Sequence, residues 1–271
     1  ANWSTGVIPN LDDGLYHAFS TGAVCVISGE PNQAGSNRIR LPHNNLLVVQ
    51  NGAKYSARDY LDVGFATNGN SSLLVKDGGI FSVRKLNVAV NGTGAKGSAT
   101  FLNSTFMPFN EGGQDTNLFT CRDDGTAEAT ITFENSVLTA TKHDGTPNRL
   151  ILCLTVASQT SVSTMNVINS EIHVGRYATI GQSNRGILNM QSGTMTVGEN
   201  LNLGNNSTDV RYQGYGELEM SDGSITAASI WVRTGKNQIS KANVSGGLLK
   251  SVGTFGLQRN GTAHFSGTAR V

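Results

Sequence analysis

Gly186-Ile-Leu-Asn-Met-Gln-Ser-Gly-Thr-Met-Thr-Val-Gly-Glu-Asn-Leu-Asn-Leu-Gly-Asn-Asn206 decides the fold. Ile187, Leu188 and Met190 make a short strand, and Ser192-Gly193 turns it. Met195 and Val197 then alternate with Thr194 and Thr196, the period of two that marks a half-buried strand. Gly198 breaks that strand, Leu201 and Leu203 resume the alternation, and Gly204-Asn205-Asn206 turns the chain again. Such a unit holds about three short strands and no helical stripe.

The unit recurs on both sides. Leu218 and Met220 lead to Asp222-Gly223, Ile225, Ile230, Val232 and Gly235, while Met165 and Val167 lead to Asn169-Ser170, Ile172, Val174, Ala178, Ile180 and Gly181. Its core phrase, apolar–polar–(Asn/Asp/Ser)–(Gly/Ser), ends at residues 29, 52, 78, 104, 136, 170, 193, 223, 247 and 268. The intervals are 23, 26, 26, 32, 34, 23, 30, 24 and 21 residues. A self-similar period in this range is the mark of a solenoid. Propeller blades need about 40–50 residues. Antiparallel hairpins would need primed two-residue turns at every corner, which Asn51-Gly52 and Asp222-Gly223 suit but Asn135-Ser136 and Asn169-Ser170 do not obviously.

The expectation is therefore an all-β, right-handed parallel β-solenoid of about ten coils with an N-terminal cap. Val49, Val75, Phe101, Phe133, Val167, Met190, Met220, Val244 and Phe265 should stack as one inward ladder. Coils about 4.8 Å apart give a rod of roughly 48 Å. Asn and Asp at the corners tolerate a left-handed backbone. Residues 1–21 lack the repeat and are assigned to the cap, with Trp3, Ile8, Leu15 and Tyr16 as covering side chains; residues 22–271 form the repeat domain.

Composition narrows the function classes. Charged residues are 14% of the 271, too few for a disordered polyelectrolyte, and 33 glycines suit many tight turns. The net charge of +1, without a run of three or more Lys or Arg, gives nucleic-acid binding little support. The longest apolar run, Leu150 to Ala157, is far short of the roughly 18–20 residues that span a bilayer, so no membrane insertion is expected. A chain that starts at Ala1 fits a cleaved secreted protein or an arbitrary boundary. Three cysteines, Cys25, Cys121 and Cys153, leave at least one unpaired within the chain. Cys121 and Cys153 are 32 residues apart, near the local period, which suits stacked buried thiols on adjacent coils, with a disulfide as the alternative. The tripeptide Asn-x-Ser/Thr is frequent, as so Asn/Ser/Thr-rich a chain requires by composition alone.

Signatures of common catalytic sites are absent: there is no Gly-x-Ser-x-Gly, His-Glu-x-x-His, Cys-x-x-Cys or P-loop. The five histidines have no ligand-like spacing, so no metal or other cofactor is expected. The two longest intervals, between 104 and 170, must extrude loops. Asp123, Asp124, Lys142, Asp144 and Arg149 there make a candidate ligand-binding face. Asp123 or Asp124 with Asp144 would suit a carboxylate pair for glycoside hydrolysis or a Ca²⁺ site; solvated turns explain the same residues.

The units Gly186–Asn206, Gly216–Gly235 and Lys241–Val252 resemble the autotransporter-associated β-strand repeats of large bacterial secreted proteins. The shared signature is strand, Ser/Asp-Gly, Thr-rich strand, then Leu-x-Leu-Gly, as in Leu201-Asn-Leu-Gly204. The opening Asn2-Trp3-Ser4-Thr5-Gly6-Val7-Ile8-Pro9 looks like the first coil of such proteins. The resemblance implies a secreted or cell-surface bacterial β-helix and carries no catalytic motif.

Two functions are then in view. One is a structural extracellular protein, a rod, fibre subunit or adhesin whose copies stack head to tail, possessing surfaces for glycans or a cell surface. Its interface residues would be Trp3, Ile8 and Val24 at one end and Phe255, Leu257, Phe265 and Val271 at the other. The other is a polysaccharide lyase or glycoside hydrolase acting through the acidic loops of 107–150.

Overall fold

The computed structural model describes residues 16–18, 21–29, 33–90, 92–108, 117–122, 126–140, 149–152, 160–205, 213–234 and 238–271. The chain runs through β1 (Tyr16–Ala18), β2 (Val24–Ser28), β3 (Gln33–Leu41), β4 (His43–Gln50), β5 (Lys54–Phe65) and β6 (Asn70–Lys76). It continues through β7 (Ile80–Val90), β8 (Ala95–Leu102), β9 (Thr105–Pro108), β10 (Asn117–Arg122), β11 (Ala127–Glu134) and β12 (Val137–Ala140). Then come β13 (Arg149–Leu152), β14 (Val162–Ile168), β15 (Ser170–Val174), β16 (Ala178–Ile180), β17 (Arg185–Met190) and β18 (Gly193–Leu203). The last are β19 (Tyr215–Met220), β20 (Ser224–Arg233), β21 (Ser240–Val244), β22 (Leu248–Ser251), β23 (Phe255–Gln258) and β24 (Gly261–Phe265).

Ten of these strands form one sheet in the order β2-β4-β6-β8-β11-β14-β17-β19-β21-β24, and the other fourteen form a second. Strands adjacent in space are one coil apart in sequence and run parallel. The fold is a right-handed parallel β-solenoid.

The ten-stranded sheet is face one. The fourteen-stranded sheet bends into two more faces. The first half of β7 pairs with β9 and its second half with β10. Where a long strand turns this corner unbroken, the register shifts, as between Ala57 and Tyr60 or Val197 and Asn200. Such bulges bend a strand sharply. Face two follows β9, β12, β15 and β22; face three follows β10, β13, β16 and β23.

The predicted ladder is present on face one. Val49, Val75, Phe101, Phe133, Val167, Met190, Met220, Val244 and Phe265 are successive register partners. All but Phe265 are buried. The Phe101 and Phe133 rings stack at 4.7 Å, close to the strand spacing, so identical side chains meet face to face from coil to coil. Faces two and three add their own columns, among them Phe81–Phe106 and Leu86–Leu118. Each fully buried aliphatic or Phe side chain contributes about 1.5–3 kcal/mol by leaving water.

The intervals read from the phrase match the inter-coil register of face one in every coil but the first. There the offset is 22, with Ile27 opposite Val49, not the 23 that aligning Gly29 with Gly52 suggests. Val26 and Ile27 are both apolar, so alternation alone leaves the register of that strand open by one residue. The structure resolves it with Ile27 inward, 2% exposed.

The corners explain the Asn/Ser/Gly alternation. Asn51, Asp77, Asn103, Asn135 and Asn169 all have left-handed φ, between 46° and 55°. In later coils the left-handed residue is the following glycine, Gly193, Gly223 or Gly247. Ser104, Ser136 and Ser170 occupy the fourth position as a buried column: Ser136 Oγ accepts from Ser104 N, and Ser170 Oγ accepts from Ser136 N, each at 3.0 Å. Asn169 Nδ2 donates to Asn135 Oδ1 at 2.7 Å. The Asn-Ser corners are therefore stacked solenoid corners and not hairpin turns.

Within the span 1–21, Tyr16–Ala18 forms β1 and pairs with Arg38–Arg40; the remaining cap residues, Trp3, Ile8 and Leu15 among them, lie outside the described residues. Cys25 and Cys121 are buried free thiols. Cys121 Sγ receives a hydrogen bond from Ser163 Oγ at 3.1 Å, and Ser163 is 2.6 Å from Thr120 Oγ1, a small polar cluster inside the coil. Burial pushes the Cys25 thiol up. Cys153 lies outside the described residues, as do Asp123, Asp124, Lys142 and Asp144.

Candidate functional site

Inward columns are spent on the core, so what the rod can do lies in its outward columns and its ends. On face one the outward residues largely satisfy one another. Asn166 Nδ2 donates to Thr132 Oγ1 at 3.2 Å, and Asn189 Nδ2 to Asn166 Oδ1 at 2.8 Å. Asn243 Nδ2 donates to Glu219 Oε1 at 2.8 Å. Beside this amide column, Arg185 grips Glu217 with two hydrogen bonds, at 2.9 and 3.1 Å, and Lys241 Nζ lies 3.3 Å from the same carboxylate. Burial alone would raise the Glu217 carboxyl; the Arg185 and Lys241 charges outweigh it and hold the group below its ordinary range. The Arg185 guanidinium is raised by the same hydrogen bond.

Face two carries Thr139, His173, Thr196 and Thr226 along a shallow open groove beside the corner at Gly175 and Gly198. His173 Nδ1 lies 2.8 Å from Thr196 Oγ1, and its Nε2 lies 3.6 Å from Glu171. Among the described residues no group of three or more His, Cys, Asp or Glu side chains is placed to hold a metal ion.

The end formed by β22, β23 and β24 differs from the body of the rod. Among the described residues β24 pairs with β21 alone and β23 with β20 alone. Leu257 continues the column of Val232, and Phe265 that of Val244. Val232 and Val244 are buried, whereas Leu257 is 52% exposed and Phe265 38%. Phe255 packs against the core and meets the Phe265 ring at a tilt, with centroids 6.0 Å apart. Arg270 bridges to Leu248 in parallel register, one coil further on, and Val271 beyond it is exposed. At the other end Val24 is exposed on the outward side of β2, opposite Leu46, while Cys25 and Ile27 face inward.

Of the proposed ligand-face residues only Arg149 is described. It opens β13, with its guanidinium 5.3 Å from the Tyr177 ring centroid one coil on. The carboxylate-pair reading therefore rests wholly on residues outside the description.

Compared with family models, with curated proteins and with solved structures, the chain matches none. No helix among the described residues is long and apolar enough to cross a membrane.

The groups that sequence reasoning missed are on face three. Trp231, an outward residue of β20, lies over the next strand, where a Cβ on Gly256 would run into its six-membered ring. The one available signal was a glycine inside an apolar strand, Phe255-Gly-Leu257, which marks a place where another group approaches the backbone closely.

Proposed function

We propose that the chain is a structural subunit, a β-solenoid rod of the extracellular or cell-surface kind whose copies add head to tail. The observation that carries this reading is the bare last rung: Leu257 and Phe265 occupy core columns but are 52% and 38% exposed. Two open parallel strand edges, β23 and β24, run beside them. Native sheets avoid leaving such an edge uncovered. A second copy supplies the cover with its N-terminal face, around Trp3, Ile8 and Val24, docked on the coil of β23 and β24 so that strand addition continues the parallel sheets. Covering each apolar side chain contributes roughly 1.5–3 kcal/mol, and strand addition contributes main-chain hydrogen bonds.

The contact joins two different surfaces of the same chain, so it propagates instead of closing in a pair. The likeness to the repeats of secreted bacterial proteins supports a place outside the cell. Electron microscopy of the purified chain should show filaments lengthening with concentration. The double variant Leu257→Asp/Phe265→Asp should remain as short single rods with unchanged circular dichroism. Wild-type material that stays as single rods at high concentration overturns the proposal.

A further inference from the structure

We infer that the outer surface of face three, from β13 to β20, binds an anionic polysaccharide of the polyuronate class. Three observations converge there. The first is charge left over. In the N-terminal part of this face, Arg38 and Arg40 share the buried carboxylate of Asp62, at 3.5 and 3.7 Å. Arg176 is paired with Glu199 at 3.4 Å. Arg149 and Arg233 differ: among the described residues neither has a carboxylate within salt-bridge distance. Arg233 donates from Nη2 to Asn202 Oδ1 at 2.7 Å and lies beside the Trp231 ring, and its Nε, like that of Arg40, is buried without a hydrogen-bond partner among the described residues. Partial burial of an uncompensated guanidinium costs free energy that an incoming carboxylate would recover.

The second observation is the pair of aromatic plates that accompany these cations. Arg149 and Arg176 lie 5.3 and 5.4 Å from the Tyr177 ring centroid, and Arg233 lies 5.9 Å from that of Trp231. Trp231 is half-buried and lies over the Gly256 backbone instead of inside the core. A ring laid along a sheet offers a flat, electron-rich face to weakly positive C–H groups, which is what one side of a sugar ring presents. The third is a polar position between the rings. Asn200 follows Tyr177 on the next coil and is part-exposed, whereas Asn202 beside it is buried with its amide used, accepting from Arg233 and donating to Thr179 Oγ1 at 3.4 Å. The Asn200 amide can exchange hydrogen bonds with sugar hydroxyls.

Spacing decides between anionic polymers. From β13 through β16 and β18 to β20 is three strand spacings. At about 4.8 Å each, the Arg149 and Arg233 guanidinium groups are about 14 Å apart along the rod. A nucleic-acid strand carries a charge about every 3.4 Å and draws its affinity from many phosphate contacts. Two cations so far apart neutralise little of it. A glycan whose carboxylates are separated by sugar rings suits widely spaced cations with flat plates between them.

The test is binding of the intact chain to polygalacturonate, followed by calorimetry, beside its fully methyl-esterified form and poly-dT. Binding of polygalacturonate, with the ester and poly-dT each weaker by on the order of tenfold or more, is expected. Arg149→Gln, Arg233→Gln and Trp231→Ala should each weaken binding by on the order of tenfold, with the β-sheet circular dichroism of the folded chain retained. The inference is overturned if polygalacturonate does not bind or the three variants bind it like the wild type. It is overturned equally if poly-dT binds as tightly, which would make the surface a nucleic-acid site.

Discussion

Faces one and three pack their inward columns into one shared core yet have opposite outer surfaces. On face one the polar side chains are largely consumed by one another, through the Thr132–Asn166–Asn189 amide column and the Arg185–Glu217–Lys241 charge cluster. On face three, between β13 and β20, two arginines have no carboxylate within salt-bridge distance among the described residues, and each lies beside an aromatic ring, Tyr177 or Trp231. The inward columns determine that there is a rod; the outward columns determine what it meets. A self-satisfied outer column stiffens the rod, and an unsatisfied one is available to a ligand.

The strongest way to break the comparison is to attack what both faces share. Met190→Asp places an unpaired charge in the buried ladder and should destabilise the protein by several kcal/mol in denaturant unfolding. Gln191→Asp, one residue on and exposed, should be nearly neutral; equal effects would mean the register is wrong. Next in size is a corner. Asn169 has φ 46°, so Asn169→Ala should cost about 1–2 kcal/mol, and Asn169→Gly much less. If alanine and glycine behave alike in thermal melts, the corner is not held in the left-handed region.

A smaller effect separates the two outer surfaces. The Glu217 carboxyl is held lower in the folded protein than in the unfolded chain. Its contribution is therefore complete above the ordinary carboxylate value of about 4.3 and is lost as pH falls through the folded value. Glu217→Gln should be less stable than wild type at neutral pH, and the gap should close well below the carboxylate range. A gap independent of pH would show that the charge cluster adds nothing. Smallest of all, Arg233→Gln should cost about 1 kcal/mol or less, because among the described residues the guanidinium has no carboxylate partner and loses chiefly its hydrogen bond to Asn202.

The sequence made the ladder legible because a solenoid repeats one local problem. An apolar residue must return at a fixed point in each coil, followed by a corner residue that tolerates left-handed backbone. Val49 to Phe265 could be aligned by eye for that reason. The slip at Ile27 came from two adjacent apolar residues, where alternation carries no information. The outer surface was far less legible. Arg149 and Tyr177 are 28 positions apart in the numbering and meet only through strand pairing, and Trp231 finds Gly256 in the same way. Outward side chains carry no periodic constraint, so nothing in the repeat announces them. The acidic loops were prominent in sequence because they interrupt the repeat, but Asp123, Asp124 and Asp144 lie outside the described residues.

The head-to-tail claim is tested most directly by static light scattering of the unmodified chain over a wide concentration range. The account predicts a mean mass that rises continuously above the 28.6 kDa of one chain, and a return to that mass for Leu257→Asp/Phe265→Asp. A wild-type chain that holds 28.6 kDa at every concentration would contradict it.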